Sequence, residues 1–170
     1  NFENILRSCW EDEVVLMIHN KKDCGAAKRA EKFGVPHCYI KHTDEKQIIQ
    51  LMQAWRVDLI VLAGYMKVIS PEFVHAFPNR IINLHPSLLP KYKGLHAIEQ
   101  ALESGDTKTG CTVHYVNDEL DSGEVIMQLE VPIEPDDTVE TLTPRIQRQE
   151  YAILPAAIKQ VKQRRTVASN

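Results

Sequence analysis

Asp58-Leu59-Ile60-Val61-Leu62-Ala63 is the most strongly apolar run in the chain. A strand without polar alternation is one buried on both faces, and such strands belong to parallel sheets covered by helices on both sides. The flanking residues agree. Upstream, Thr43 to Val57 carries Ile48, Leu51, Met52 and Trp55 on one face at helical spacing. Before it lie a short strand, His37 to Ile40, and a helix from Cys24 to Phe33, which Gly34 is placed to end because glycine enters the left-handed region cheaply. Val14 to Ile18 (VVLMI) reads as another doubly apolar strand, with Asn20 to Asp23 as the polar turn that follows. This alternation predicts a doubly wound α/β fold, a mostly parallel sheet with helices on both faces.

Downstream of Asp58 to Ala63 the pattern changes. Ile81 to His85 is a strand ended by Pro86, and Leu95 to Glu103 is a helix. Gly110 to Val116 and Glu124 to Ile133 are two long strand-like runs with no helix between them, so a C-terminal antiparallel pair is expected. Asp137 to Lys162 closes the chain as a helix, with Asp137 and Glu140 at capping-box spacing and Pro144 fitting a first turn or forcing a break. Asn1 to Leu6 reads as a capped helix where a fold of this type ordinarily opens with a buried strand. The expectation is one domain over 1–170 whose first strand and following turn are absent from the sequence.

At 170 residues, 44% of them hydrophobic, the chain suffices for one core and is short for two domains. Twenty Lys and Arg against 23 Asp and Glu leave a net charge of -3, which offers no footprint for nucleic acid or an anionic membrane. The apolar runs stop well short of the ~20 residues a membrane span needs. A soluble, cytoplasmic protein with a small-molecule partner is expected. Cys9, Cys24, Cys38 and Cys111 are scattered without a C-x-x-C pair, which argues for free or buried thiols. The basic tail with Lys159, Lys162, Arg164 and Arg165 reads as a solvated helix end.

Two segments carry candidate chemistry. In RIINLHPSLLP, residues 80–90, Asn83 and His85 fall on one face at the end of a buried strand. They are either strand-end groups bonded to nearby backbone or ligand groups, since open α/β sheets bind ligands at the carboxyl ends of their strands. In NDELDSG, residues 117–123, the acidic loop is either a solvated turn or the source of a carboxylate. An amide, an imidazole and a carboxylate together suit acyl transfer, in which donors meet an oxyanion, imidazole carries protons and the carboxylate orients it.

The stretch INLHPSLLPKYKGLHAIEQALESGDTKTGCTVHYVNDELDSG, residues 82–123, together with DLIVLAGYM at 58–66 and QEYAILP at 149–155, resembles the glycinamide ribonucleotide formyltransferases, folate-dependent enzymes of purine synthesis. Sister families that hydrolyse formyl folate, or that formylate methionyl-tRNA, share the N-x-H and acidic-loop skeleton, but the H-P-S-L-L-P and D-E-L-D-S-G forms favour this one. The resemblance implies a catalytic trio of Asn83, His85 and Asp121. It implies a pocket for 10-formyltetrahydrofolate made by Met66, Lys67, Val68 and Ile69, with Asn83 and the backbone of Asn117, Asp118, Glu119, Leu120 and Asp121. Read without it, Tyr65 to Ile69 is core and loop entry. The resemblance puts Gln147 and Glu150 against glycinamide ribonucleotide, although Tyr151 stands where the family usually has His, and Asn1 matches the last polar residue of a phosphate-binding glycine turn. Without the resemblance Gln147 and Glu150 belong to a solvated helix face. His114 matches a histidine common in the family and is either a packed strand residue or a support for the site. A zinc site from His85, His114 and Asp121 is chemically conceivable, but the resemblance implies no metal, no nucleic acid, no membrane, and a monomer or weak homodimer. His19, His37, His42, His75 and His96 receive no role.

Overall fold

The computed structural model describes residues 2–5, 7, 14–21, 24–62 and 69–169, with side chains through Arg164. In chain order the elements are Phe2–Ile5 (α1), Met17–His19 (β1), Gly25–Lys32 (α2), His37–Tyr39 (β2), Glu45–Ala54 (α3), Ile60–Leu62 (β3), Pro71–Ala76 (α4), Ile81–His85 (β4), Ala97–Ser104 (α5), Lys108–Tyr115 (β5), Val125–Pro132 (β6) and Val139–Ser169 (α6). β1 pairs with β2 and β3 with β4, both parallel; β4 pairs with β5 and β5 with β6, both antiparallel. The mixed α/β architecture with its C-terminal antiparallel strands is therefore the one the apolar runs imply.

Neighbouring residues of β4 show why its first positions are apolar on both faces. Ile82 joins a core with Cys111, Val113, Leu142, Ile146, Ile153 and Leu154, under α6. Ile81 joins a second core with Ile40, Ile48, Ile60, Phe73 and Phe77, under α3 and α4. Successive side chains point to opposite faces, so a strand between two helical layers needs apolar residues at both parities.

Local differences from the sequence reading have identifiable causes. β1 begins at Met17 and not Val14, because its ladder runs only from Met17↔His37 to His19↔Tyr39. The short α4 escapes a periodicity search but has a strong start: Pro71 opens it and the Ser70 hydroxyl accepts the Phe73 amide. At the start of α6, Glu140 takes no part in capping. The Asp137 carboxylate accepts the Glu134 amide and the Thr141 hydroxyl, each at 2.7 Å, and the Thr141 oxygen accepts the Thr138 amide at 2.9 Å. Pro144 and Pro155 both lie inside α6. Gly34 ends its helix at φ +70°, as its position implies. The opening helix covers Phe2–Ile5, while Asn1 and Leu6 lie outside the described residues.

Among the described residues the strands form two sheets, β1-β2 and β3-β4-β5-β6. All of β1 and β3 line a cavity of about 1360 Å³ between them, with Ile48, Met52 and Ile158 among its other walls.

Candidate functional site

β4 ends in Asn83-Leu84-His85, and its antiparallel partner sets Asn83 opposite His114 and His85 opposite Thr112. Asn83, His85, Thr112 and His114 therefore share one face, while Cys111, Val113, Ile82 and Leu84 turn toward α6. The β5–β6 register shifts between Val113 and His114, a local irregularity of the kind that re-aims side chains.

The acidic loop closes over this face. Asp121 has φ +49°, a left-handed conformation that Asp tolerates better than most residues. Its Oδ2 accepts the Gly94 amide at 2.7 Å and stands 3.5 Å from His85 Nδ1. Its Oδ1 stands 3.7 Å from His114 Nε2. The side chains of His85, Asp121 and His114 are 7%, 8% and 3% exposed, so the carboxylate and both imidazoles meet where little water screens them.

Hydrogen-bond partners assign most of the ring nitrogens. His85 Nε2 donates to the Tyr92 carbonyl at 2.8 Å, because a carbonyl can only accept. Nδ1 is then the nitrogen of His85 that can serve a reactant, and it faces Asp121 across a gap longer than a hydrogen bond. His114 Nδ1 likewise donates to the Tyr115 carbonyl at 2.9 Å, leaving Nε2 as an acceptor 3.5 Å from Asn83 Nδ2. Burial holds the His114 pKa below its ordinary value, so the ring is neutral near pH 7 and its bare nitrogen turns the Asn83 amide NH2 toward the cluster.

A buried polar clamp fixes the segment after His85. Thr112 Oγ1 donates to the Ser87 carbonyl at 2.7 Å and accepts the Leu89 amide at 3.2 Å and the Gln128 amide at 3.0 Å. Ser87 Oγ donates to the Lys91 carbonyl at 2.6 Å. Ser87, Tyr92, Gly94, Thr112 and Gln128 thus position His85 and Asp121 without belonging to the cluster. Sequence reading passed over them, because each acts through a backbone group whose position depends on tertiary structure.

The remaining expected site residues are more dispersed. Asn117 Oδ1 accepts the Glu119 amide at 3.0 Å, and Asp118 pairs with His75 of α4 at 3.0 Å. Asn117, Asp118, Glu119 and Leu120 are exposed. Ile69 packs at the edge of the α3–α4 core. Met66, Lys67, Val68 and Asn1 lie outside the described residues. Gln147 is exposed and Glu150 half-buried on α6, where Glu150 acts electrostatically on Cys111, on the sheet face away from His85. Burial pushes Glu150 up to about 7, and burial with the Glu150 charge pushes the Cys111 thiol up to about 12. Cys24, Cys38 and Cys111 are free thiols, and Cys9 lies outside the described residues. Among the described residues, no three or more His, Cys, Asp or Glu are arranged to hold a metal ion, and no helix is long and apolar enough to cross a membrane. None of Asn83, His85, His114 and Asp121 lines the cavity between β1 and β3.

The class so defined is an open α/β protein that gathers an amide, two imidazoles and a carboxylate at the carboxyl end of a parallel strand. Residues 1–158 match the formyl transferase family, and the chain belongs to that family. It is 38% identical over 170 residues to the phosphoribosylglycinamide formyltransferase of Haemophilus influenzae, covering 94% of this chain and 80% of that one. It is 44% identical over 153 residues to the trifunctional purine biosynthetic protein adenosine-3 of Drosophila melanogaster, covering 86% of this chain but only 11% of that longer protein. The crystal structure of phosphoribosylglycinamide formyltransferase from Anaplasma phagocytophilum superposes with a TM-score of 0.89 at 38% identity, covering 95% of this chain and 80% of that one.

Proposed function

We propose that the chain transfers a formyl group from 10-formyltetrahydrofolate to the amine of glycinamide ribonucleotide, in de novo purine synthesis. The observation that carries this reading is the convergence of Asn83, His85 and Asp121 on one face of β4 in a member of the formyl transferase family. The amine nitrogen attacks the formyl carbon and forms the new C–N bond. The Asn83 NH2 and the protonated Nδ1 of His85 donate to the oxygen as it becomes an oxyanion. Asp121 faces that imidazolium and, through a water, moves a proton from the attacking amine to the folate nitrogen as its bond to the formyl carbon breaks.

On this reading the donor lies along Ile69 and the Asn117 to Asp121 loop, with Met66, Lys67 and Val68. The acceptor reaches Gln147 and Glu150, with its phosphate at a turn ending in Asn1. The chemistry needs no metal, because the formyl donor is already activated. The proposal covers one domain over 1–170 that works in the cytoplasm as a monomer or weak homodimer. The open space between the edges of β1 and β3 supports a further strand there, carrying the rest of the phosphate turn.

The test incubates the protein with 10-formyltetrahydrofolate, with and without glycinamide ribonucleotide, and follows release of tetrahydrofolate. Release that depends on the amine is expected. Equal release without it would replace this reading with formyl-folate hydrolysis.

A further inference from the structure

A second cluster lies on the other sheet. His37 pairs with Met17 and Tyr39 with His19 along the β1–β2 ladder, so alternation puts His19, His37 and Tyr39 on one face. The His19 and His37 rings lie 5.3 Å apart, tilted at 37°, with His19 Nε2 3.2 Å from His37 Nδ1. The two outer nitrogens face groups that only accept. His19 Nδ1 lies 2.7 Å from the Lys21 carbonyl, and His37 Nε2 lies 3.4 Å from the Glu31 carboxylate of α2.

The Lys21 carbonyl requires N–H on His19 Nδ1, which leaves His19 Nε2 as an acceptor, and the Glu31 carboxylate favours N–H on His37 Nε2. With N–H on Nδ1, His37 donates to His19 across the 3.2 Å gap; with N–H on Nε2, facing Glu31, both hydrogens point outward and two lone pairs share that gap. In the second form the gap is open to an electron-pair acceptor. Two nitrogens that each lie about 2.0–2.1 Å from a tetrahedral zinc are separated by about 3.3 Å, close to the spacing already present. Imidazoles whose far N–H groups rest on a carbonyl and a carboxylate have the outer contacts that fix histidine ligands at metal centres. The His37 side chain is 24% exposed, and His19 lines the cavity beside β1.

We propose that His19 Nε2 and His37 Nδ1 form a two-histidine site for a borderline divalent cation, with zinc as the representative and with its remaining coordination positions open to water or an added anion. Imidazole pairs suit zinc, copper and nickel over magnesium or calcium. Glu31, the charged group facing the pair from α2, supplies a compensating negative charge. Neither histidine belongs to the formyl-transfer cluster, so the site stands or falls apart from that reading.

The experiment titrates the full chain with Zn²⁺ by calorimetry while recording imidazole ¹⁵N–¹H spectra. The first equivalent is expected to move the His19 Nε2 and His37 Nδ1 resonances, a readout that needs no variant. His19→Asn and His37→Asn are each expected to weaken this binding at least tenfold, and Glu31→Gln about twofold to fivefold, whereas His42→Asn leaves it unchanged. Both histidine variants keep formyl-transfer activity in zinc-free buffer. The proposal is overturned if the first equivalent moves His85 or His114 instead. It is equally overturned if the His19→Asn/His37→Asn double variant binds as tightly as the parent, or if the pair holds a shared proton and takes up no zinc.

Discussion

The parallel and antiparallel strands of this fold are written in similarly apolar sequence, yet the antiparallel ladder is much more extensive than the parallel ones. β5 and β6 run for eight residues each and stay paired from Lys108↔Pro132 to His114↔Val125. β1, β2 and β3 are three residues each, and β1 and β3 both border the same cavity. An antiparallel pair joined by a loop builds its ladder from nearby residues, whereas parallel strands wait for partners brought by crossovers. Asn83, His85, His114 and Asp121 all come from β4, β5 and the loop before β6. The precise geometry that the proposed acyl transfer demands thus resides where every strand has neighbours on both sides or a helix against it. The cation site proposed at His19 and His37, which tolerates open coordination, falls in the sparser region.

This contrast is most severely tested in the cluster itself. His85→Ala and Asp121→Asn are each expected to lower kcat for formyl transfer by about 10²–10⁴, the usual worth of a positioned proton carrier, while the far-ultraviolet circular dichroism stays that of the parent. Turnover within threefold of the parent in either variant would remove the cluster from the mechanism. The next effect is on stability. Leu154→Ala empties a fully buried position in the α6 core and is expected to cost about 2–5 kcal/mol in urea denaturation. Met17→Ala, at a half-buried position of β1, is expected to cost about 1 kcal/mol, since less apolar surface returns to water. Equal losses at the two sites would mean that the short strands are as firmly packed as the long ones.

An effect of similar size is expected at Gly123. A Cβ there would stand 1.6 Å from the Tyr115 carbonyl oxygen, so Gly123→Ala must push the acidic loop off the end of β5. Asp121, two residues away, moves with it. About a tenfold fall in kcat is expected, worth about 1.4 kcal/mol, with a smaller loss of folding stability because the loop is half-exposed. Unchanged kinetics would show that Asp121 is held by the Gly94 amide alone.

Much of this was legible in residue order. Period-two placement put Asn83 and His85 together, and the doubly apolar Asp58 to Ala63 run implied a sheet between two helical layers. The acidic loop could be named as a source of carboxylate, but its use of Asp121 came only through resemblance, since Asp118, Glu119 and Asp121 are chemically alike in sequence. Geometry separates them: Asp118 reaches out to His75, while the positive φ of Asp121 folds it inward. His114 was undecided between packing and support, and its place opposite Asn83 depends on a strand register that no local pattern encodes. The extent of β1 was misread for the same reason, because a strand is as long as its partner allows. His19 and His37 are eighteen positions apart, and only the parallel ladder brings their nitrogens face to face.

The last effect concerns the seam between the two regions. Glu150 precedes Tyr151, whose carbonyl accepts the Asn4 side-chain amide of α1 at 2.8 Å, and Ile5 of α1 enters the α6 core. Burial pushes the Glu150 carboxyl from 4.5 up to about 7. Between those values the folded chain keeps a proton that the unfolded chain releases, so this group makes stability fall as pH rises through the window and contributes no further change above about 7. A full shift of that size is worth about 3 kcal/mol, and water reaching the half-buried carboxyl reduces it to about 1–2 kcal/mol. Glu150→Gln carries no charge at any pH, so it is expected to flatten this part of the profile and to stabilise the chain relative to the parent at about pH 8 but not at about pH 5. Urea denaturation at the two pH values measures the difference. Parallel profiles for parent and variant would mean that Glu150 is solvated, and that α1 does not seal the seam against α6.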